Sequence, residues 1–319
     1  MPFKVVVTRN FNHMSEVAAG IVRKNIAKTL RKQKEFVLGL ATGSSPTGLY
    51  KYLAKAANAG EFDSGRIRSF NLDEYVGLPG ENAQQRAMHP ESYCYFMIHE
   101  FFSLLTKKFI ETNVPYGSLI DQKQLIRELK AHPKDWKEAG TDAGRSIVIK
   151  AKPASEYLAW IRNTVLNGYA RKINKAGGID VQIIGVGGRG HVAFHESGIP
   201  FKAGKVMLVK LDNNTVANAV ADGHFSSDRE CPLYAVSMGA KLVYEAKTVV
   251  LLASGKRKIK SVAESLLGDI TPDVPISYGR KYAKEGGNLF YVVDKIVGQS
   301  LISQKNGLKQ KGIKIQSLL

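Results

Sequence analysis

Apolar residues in this chain fall into short runs, and stretches of helical spacing separate the runs. FKVVVT (3–8) reads as a strand. EFVLGLA (35–41) is almost continuously apolar, the pattern of a strand buried on both faces. RIRSFNLD (66–73), VQIIGVG (181–187), KVMLVKL (205–211), TVVLLAS (248–254) and NLFYVVD (288–294) read as strands too. Residues 13–33, SPTGLYKYLAKAANAG (45–60) and HPESYCYFMIHEFFSLL (89–105) have helical spacing. The alternation predicts an α/β protein: a doubly wound, mainly parallel sheet with helices on both faces.

From about Ile120 to Gly178 the rhythm changes. KAHPKDWKEAGTDAGRS (130–146) and ASEYLAWIRNTVLNGYARKI (154–173) are highly charged and read as helix, turn, helix. No strand series is legible there. We therefore expect one α/β domain over 1–302, a Rossmann-like three-layer sandwich, with a charged helical insertion near 120–178. Residues 303–319 read as a basic C-terminal tail.

Composition narrows the class. With 44% hydrophobic and 23% charged residues the chain can fill a sizeable core, which argues against disorder. No uninterrupted apolar run is long enough to span a bilayer, so no membrane partner is expected. MPFKVVVTRNF lacks the apolar core of a signal peptide. With only Cys94 and Cys231, the setting reads as reducing and cytoplasmic. The formal charge of +18 raises nucleic-acid binding as a reading. The basic residues are spread along the chain, and KNGLKQKGIKIQ (305–316) has no aromatic residue for base stacking. A solvated basic surface accounts for the charge, and its field would also attract a phosphorylated metabolite. We expect no specific nucleic-acid partner.

In open α/β sheets ligands bind beyond the carboxyl ends of the strands. Three stretches there carry chemistry. LATGSSPTGLYKYL (40–53) runs from a strand through Thr42, Gly43, Ser44 and Ser45 into Pro46 and a helix. Proline suits a first helical turn, Ser44 or Ser45 can cap it, and open backbone N–H groups at a helix start can hold a phosphate. A capped helix without a ligand fits equally well. In SFNLDEYVGLPGEN (69–82), Asp73 and Glu74 are adjacent, so their side chains should diverge. One carboxylate could take a proton from carbon beside a carbonyl; capping ahead of Gly77 and Pro79 is the plainer use.

The third stretch, GVGGRGHVAFHE (185–196), opens with six residues that fit G-x-G-x-x-G. A dinucleotide site needs a long helix directly afterwards, yet Gly198, Ile199 and Pro200 follow within a few residues. Asp212 makes the decoy plausible by ending the next strand. The same loop sets His191 near Glu196, and an acid-oriented histidine can move protons near neutral pH. A structural hydrogen bond is the alternative for His191 or for His195. No spacing resembles a zinc site, and no metal or cofactor is expected.

Together these stretches resemble the glucosamine-6-phosphate deaminase (isomerase) family. LGLATGSSPTGLYKYL is similar to its phosphate loop, SFNLDEYVGLP to its FN-x-DEYVGL block, HPESYCYFM to its HPESY segment, and GVGGRGHVAFHE to its GVG-x-DGHIAFNEP loop. VVLLASGKRK is similar to a later strand-then-lysine segment. The likeness runs to about residue 300, apart from 120–178. The paired DEYVGL and HPESY blocks separate this branch from the related 6-phosphogluconolactonases.

The resemblance implies conversion of an amino-sugar 6-phosphate to a ketose 6-phosphate and ammonia, without a cofactor, in a homo-oligomer. It implies that Asp73 moves a proton from sugar C2 to C1, and that His191, assisted by Glu196, opens the ring. It implies that Thr42, Gly43, Ser44, Ser45 and Lys256 hold the phosphate. Arg189 stands where the family has an aspartate, His195 where it has an asparagine, Ser197 where it has a proline, and Val220 where it has an arginine. We expect Arg189 to share in anion binding, with altered specificity. The family's allosteric residues have no counterpart, so effector activation is not expected. Loss of the aspartate leaves a non-catalytic sugar-phosphate sensor as an alternative reading, and the shared GHxA loop leaves a lactonase-like hydrolase.

Overall fold

The structure is a computed structural model and describes residues 3–319. Its strands are β1 (Phe3–Thr8), β2 (Phe36–Leu40), β3 (Ile67–Asn71), β4 (Asp73–Val76), β5 (Glu111–Asn113), β6 (Trp136–Ala139) and β7 (Arg145–Ile149). They continue with β8 (Val181–Ile184), β9 (Val206–Lys210), β10 (Tyr234–Met238), β11 (Thr248–Ala253), β12 (Asn288–Asp294) and β13 (Ile313–Ser317).

Eight strands form a parallel sheet in the order β13-β1-β12-β11-β8-β2-β3-β5, with helices on both sides. β2 and β11 are buried along their whole length, as their unbroken apolar sequences require. The chain lays down β2, β3 and β5 toward one edge, and β8, β11 and β12 toward the other. The order therefore reverses between β2 and β8, which opens a crevice at their carboxyl ends. Gly39 lets these two strands approach, because a Cβ there would overlap the Gln182 side chain.

Five strands form a second, antiparallel sheet in the order β4-β10-β9-β7-β6. Leu72 joins the two sheets. Its N–H donates to Leu40 O at 3.0 Å, and its carbonyl accepts from Met238 N at 2.8 Å. Asp73 thus begins a strand of the second sheet one residue beyond this link.

Three expectations are corrected here. KVMLVKL is a strand, but β9 lies in the antiparallel sheet. The region near 120–178 is not wholly helical: β6 and β7 form a hairpin between its helices. WKEA is a short, half-wet edge strand whose Lys137 and Glu138 are exposed, so its composition resembles a polar loop. Residues 303–319, read as a basic tail, are ordered and join the parallel sheet. A helix over Lys305–Gln310 leads into β13, which pairs in parallel with β1 and buries Ile313. The lysines in that stretch decorate a helix and a sheet edge. Among the described residues no helix is long and apolar enough to cross a membrane.

Candidate active site

The crevice between β2 and β8 opens into a cleft of about 700 Å³. Its walls come from the loops after β2, β3, β8 and β11, and from the helix Asn213–Ala221. Thr42, Gly43, Ser44, Ser45, Asp73 and His191 all line it. Glu196 lies behind His191, Nδ1 to Oε2 at 3.5 Å.

The loop after β2 turns at Gly43, whose φ of 90° is one a side chain rarely adopts. Contrary to the capping expected of Ser44 or Ser45, the helix Thr47–Asn58 has no side-chain cap. Pro46 holds the cap position in a helical conformation, which leaves the serines upstream of it. Thr47 Oγ1 donates back to Ser44 O at 3.0 Å and closes the turn. The serines and the first backbone N–H groups of the helix are therefore free for an anion.

Asp73 and Glu74 diverge, as their adjacency on a strand requires. Glu74 is a capping residue. Its Oε2 accepts from Ser92 Oγ at 2.7 Å and Cys94 N at 3.0 Å, and its Oε1 from Tyr75 N at 2.8 Å and Tyr93 N at 3.1 Å. It thereby anchors the helix Tyr93–Glu100. Asp73 is 5% exposed and faces the cleft. Among the described residues its Oδ1 has no hydrogen-bond partner. Burial, with the neighbouring Glu74 charge, holds its carboxyl well above the usual carboxylate range. A buried, unpartnered carboxylate with raised basicity suits proton abstraction.

The glycines after β8 serve a histidine. A Cβ on Gly187 would overlap the His191 imidazole, so the ring folds back across a space that only glycine leaves. Gly190 (φ 79°) and Ala193 (φ 53°) both take left-handed backbone, and the Ala193 conformation is strained. A tight turn follows, with Gly190 N donating to Gly187 O at 3.0 Å and His195 N to Val192 O at 3.0 Å. Burial, and then the Lys258 charge, push the His191 imidazole down to about 4. Burial pushes Glu196 up to about 7. The 3.5 Å contact is thus no ion pair at neutral pH; it joins a neutral imidazole to a carboxyl group that titrates there. Such a pair can pass a proton between oxygens of a bound molecule.

His195 is structural. It is fully buried, its Nδ1 accepts from Ala240 N at 3.0 Å, and its Nε2 stands 2.9 Å from Ile199 O. Asp212 is no ribose ligand, because β9 has left the parallel sheet. It caps the helix Asn213–Ala221 by accepting from Asn214 N at 2.7 Å.

Two expected anion-binding residues stand elsewhere. Lys256 does not line the cleft; Arg257 and Lys258 do. Lys256 opens a single 3-10 turn over Lys256–Lys258, which carries the following two side chains round to the cleft. Arg189 does not line the cleft either. Its guanidinium pairs with Asp142, and its Nη1 lies 3.1 Å from Asp212 Oδ2, so two carboxylates already hold it. Sequence reasoning also passed over Thr215, Asn218 and His224, which line the far wall. The KRK triplet signalled a cation without its position; nothing local marked the other three.

No family model matches the chain. It is 35% identical over 273 residues to a glucosamine-6-phosphate deaminase of Thermoanaerobacter sp. (strain X514), covering 85% of this chain and 86% of that one. It is 32% identical over 274 residues to the glucosamine-6-phosphate deaminase of Clostridium botulinum (strain Loch Maree), covering 86% and 90%. A solved monomeric glucosamine-6-phosphate deaminase superposes with a TM-score of 0.70 at 25% identity, covering 93% of this chain and 99% of that one. The 6-phosphogluconolactonase from Trypanosoma cruzi shares the fold, with a TM-score of 0.62 at 18% identity over 93% and 96% of the two chains. These comparisons bear out the resemblance read from the loops: the chain belongs to the glucosamine-6-phosphate deaminase family.

Proposed function

We propose that this protein converts an amino-sugar 6-phosphate to a ketose 6-phosphate and ammonia by acid–base isomerisation. The observation that carries this reading is the placement of Asp73. It is a buried carboxylate with a free oxygen, in the same cleft as the His191–Glu196 pair and the uncapped helix start. The phosphate sits on Thr42 to Ser45, with Lys258 and Arg257 as the nearby cations. Held there, the sugar carbons lie between Asp73 and His191.

His191 takes the proton from the O1 hydroxyl and passes it to the ring oxygen as the bond from C1 to the ring oxygen breaks, which opens the ring to the aldehyde. Asp73 then removes the C2 proton. The released electron pair forms the C1–C2 double bond, and O1 takes a proton from the His191–Glu196 pair. Asp73 returns its proton to C1, which leaves a protonated imine at C2. Water adds to C2, ammonia leaves, and the proton released returns to the His191–Glu196 pair, giving the ketose.

One observation favours a competing reading, a sugar-phosphate binding protein without turnover. Burial, then the Lys258 charge and, to a smaller degree, the Arg189 cation beside the pair disfavour a protonated His191. Ammonia release from glucosamine-, galactosamine- and mannosamine-6-phosphate decides between them, with thermal shift on the same compounds. Ammonia from any one is the expected result. Thermal stabilisation without ammonia would establish the binding protein instead.

A further inference from the structure

The turn between β6 and β7 reaches the candidate active site from the region that reads as an insertion. Four contacts tie it there. Asp142 pairs with Arg189. Thr141 N donates to Gly198 O at 3.2 Å. Gly144 packs on Glu196 so closely that a Cβ would stand 2.6 Å from Glu196 Cβ and 2.8 Å from its Cγ. The same Cβ would stand 3.3 Å from Asp212 Cβ. Arg189, on the glycine loop, thus bridges the β6–β7 turn to Asp212, the cap of the helix that forms the cleft's far wall.

We infer that Asp142 is a positioning residue for the His191–Glu196 pair, acting through Arg189 and Asp212. The inference rests on the proposed deaminase reading for its kinetic consequences but not for its geometry. An exposed ion pair contributes little by itself. Here one partner, the Asp212 side chain, is only 2% exposed, so the guanidinium has a fixed anchor. Asp142 supplies the second carboxylate, on Nη2 while Asp212 holds Nη1, so both ends of the guanidinium fork are fixed.

The charges that act on Glu196 directly are His191 and Arg189 on its own loop and Asp212 just after β9. Asp142, with Arg145 beside it on the hairpin, acts on Arg189, and Lys258 after β11 acts on His191. Removing Asp142 leaves the Arg189 charge less balanced. A less balanced cation favours the ionised form of Glu196, so its titration moves to lower pH.

The test uses the full chain with Asp142→Asn, Asp142→Glu and Gly144→Ala. Ammonia release from glucosamine-6-phosphate is followed against pH. Glu196 is followed by carbon NMR of labelled glutamate, assigned with Glu196→Gln. Asp142→Asn is expected to lower kcat about tenfold with KM changed less than about twofold, as for a group that positions catalytic atoms. The Glu196 midpoint should fall below its wild-type value, and Asp142→Glu should restore both readings. Gly144→Ala, which pushes on Glu196 directly, should reproduce the kcat loss. An unchanged Glu196 midpoint in Asp142→Asn overturns the inference. So does a loss of kcat and KM together that Asp142→Glu fails to restore, since that is the mark of a merely structural contact. If the wild type releases no ammonia from any amino-sugar phosphate, the deaminase reading fails. The NMR midpoint then still decides the positioning role.

Discussion

The two sheets contribute different chemistry to one cleft. The parallel sheet supplies backbone and cations, the proposed anion site: the uncapped start of Thr47–Asn58 after β2, and Arg257 and Lys258 after β11. The antiparallel sheet supplies acids: Asp73 opens β4, Asp142 follows β6, and Asp212 follows β9. The histidine loop lies between them. Under the proposed function, binding and proton transfer are built on separate scaffolds, and substitutions on each should separate KM from kcat.

Asp73→Asn is the largest expected break. General-base removal should cost at least about 10³-fold in kcat, while sugar-phosphate binding persists. The same change should raise the melting temperature. A carboxylate whose folded pKa is raised destabilises the fold once pH exceeds its unfolded value, and asparagine removes that burden. Equal loss of binding and turnover would show that Asp73 only holds the ligand. Next comes Gly187→Ala. Its Cβ occupies the place of the His191 ring, and a displaced ring should cost about 10²-fold in kcat. If kcat is untouched, His191 is not the proton carrier.

On the binding side, Lys258→Ala should raise KM roughly tenfold or more, the scale of a charge-assisted hydrogen bond, and leave kcat nearly unchanged. Lys256→Ala should change neither. The reverse result would return the phosphate contact to Lys256 and would mean that the turn Lys256–Lys258 rearranges on binding.

How much of this was legible follows from what each element buries. β1, β2, β8, β11 and β12 are packed on both faces, so an apolar run betrays them. β6 and β13 are edges with exposed lysines, and their sequences look like loops. β10, YAVSM, carries the apolar signal but stands in a stretch whose neighbours gave no rhythm to place it. The place of Asp73, His191 and the Thr42–Ser45 loop in one cleft was legible because each follows a strong strand. Asp142 was not, because its role depends on a hairpin folding back 47 residues away in sequence from Arg189. Lys258 lines the cleft and Lys256 does not, because the 3-10 turn Lys256–Lys258 decides which lysine of KRK faces it, and composition carries no sign of that turn.

The smallest expected effect separates the two histidines by pH. His195 and His191 are both held well below the ordinary value, each to about 4. A histidine depressed in the fold takes up protons on unfolding. Stability is then full above about pH 6.5, the unfolded value, and falls as pH drops toward about 4. His195 is sealed between Ala240 N and Ile199 O, so its contribution belongs to the fold alone. His191 keeps 22% of its side chain open to the cleft, where a bound sugar phosphate can change its surroundings. Bound ligand should therefore move the His191 titration by NMR and leave that of His195 in place. Movement of both would mean that the β8 loop and the second sheet respond to ligand as one body, and the division of labour between the sheets would fail.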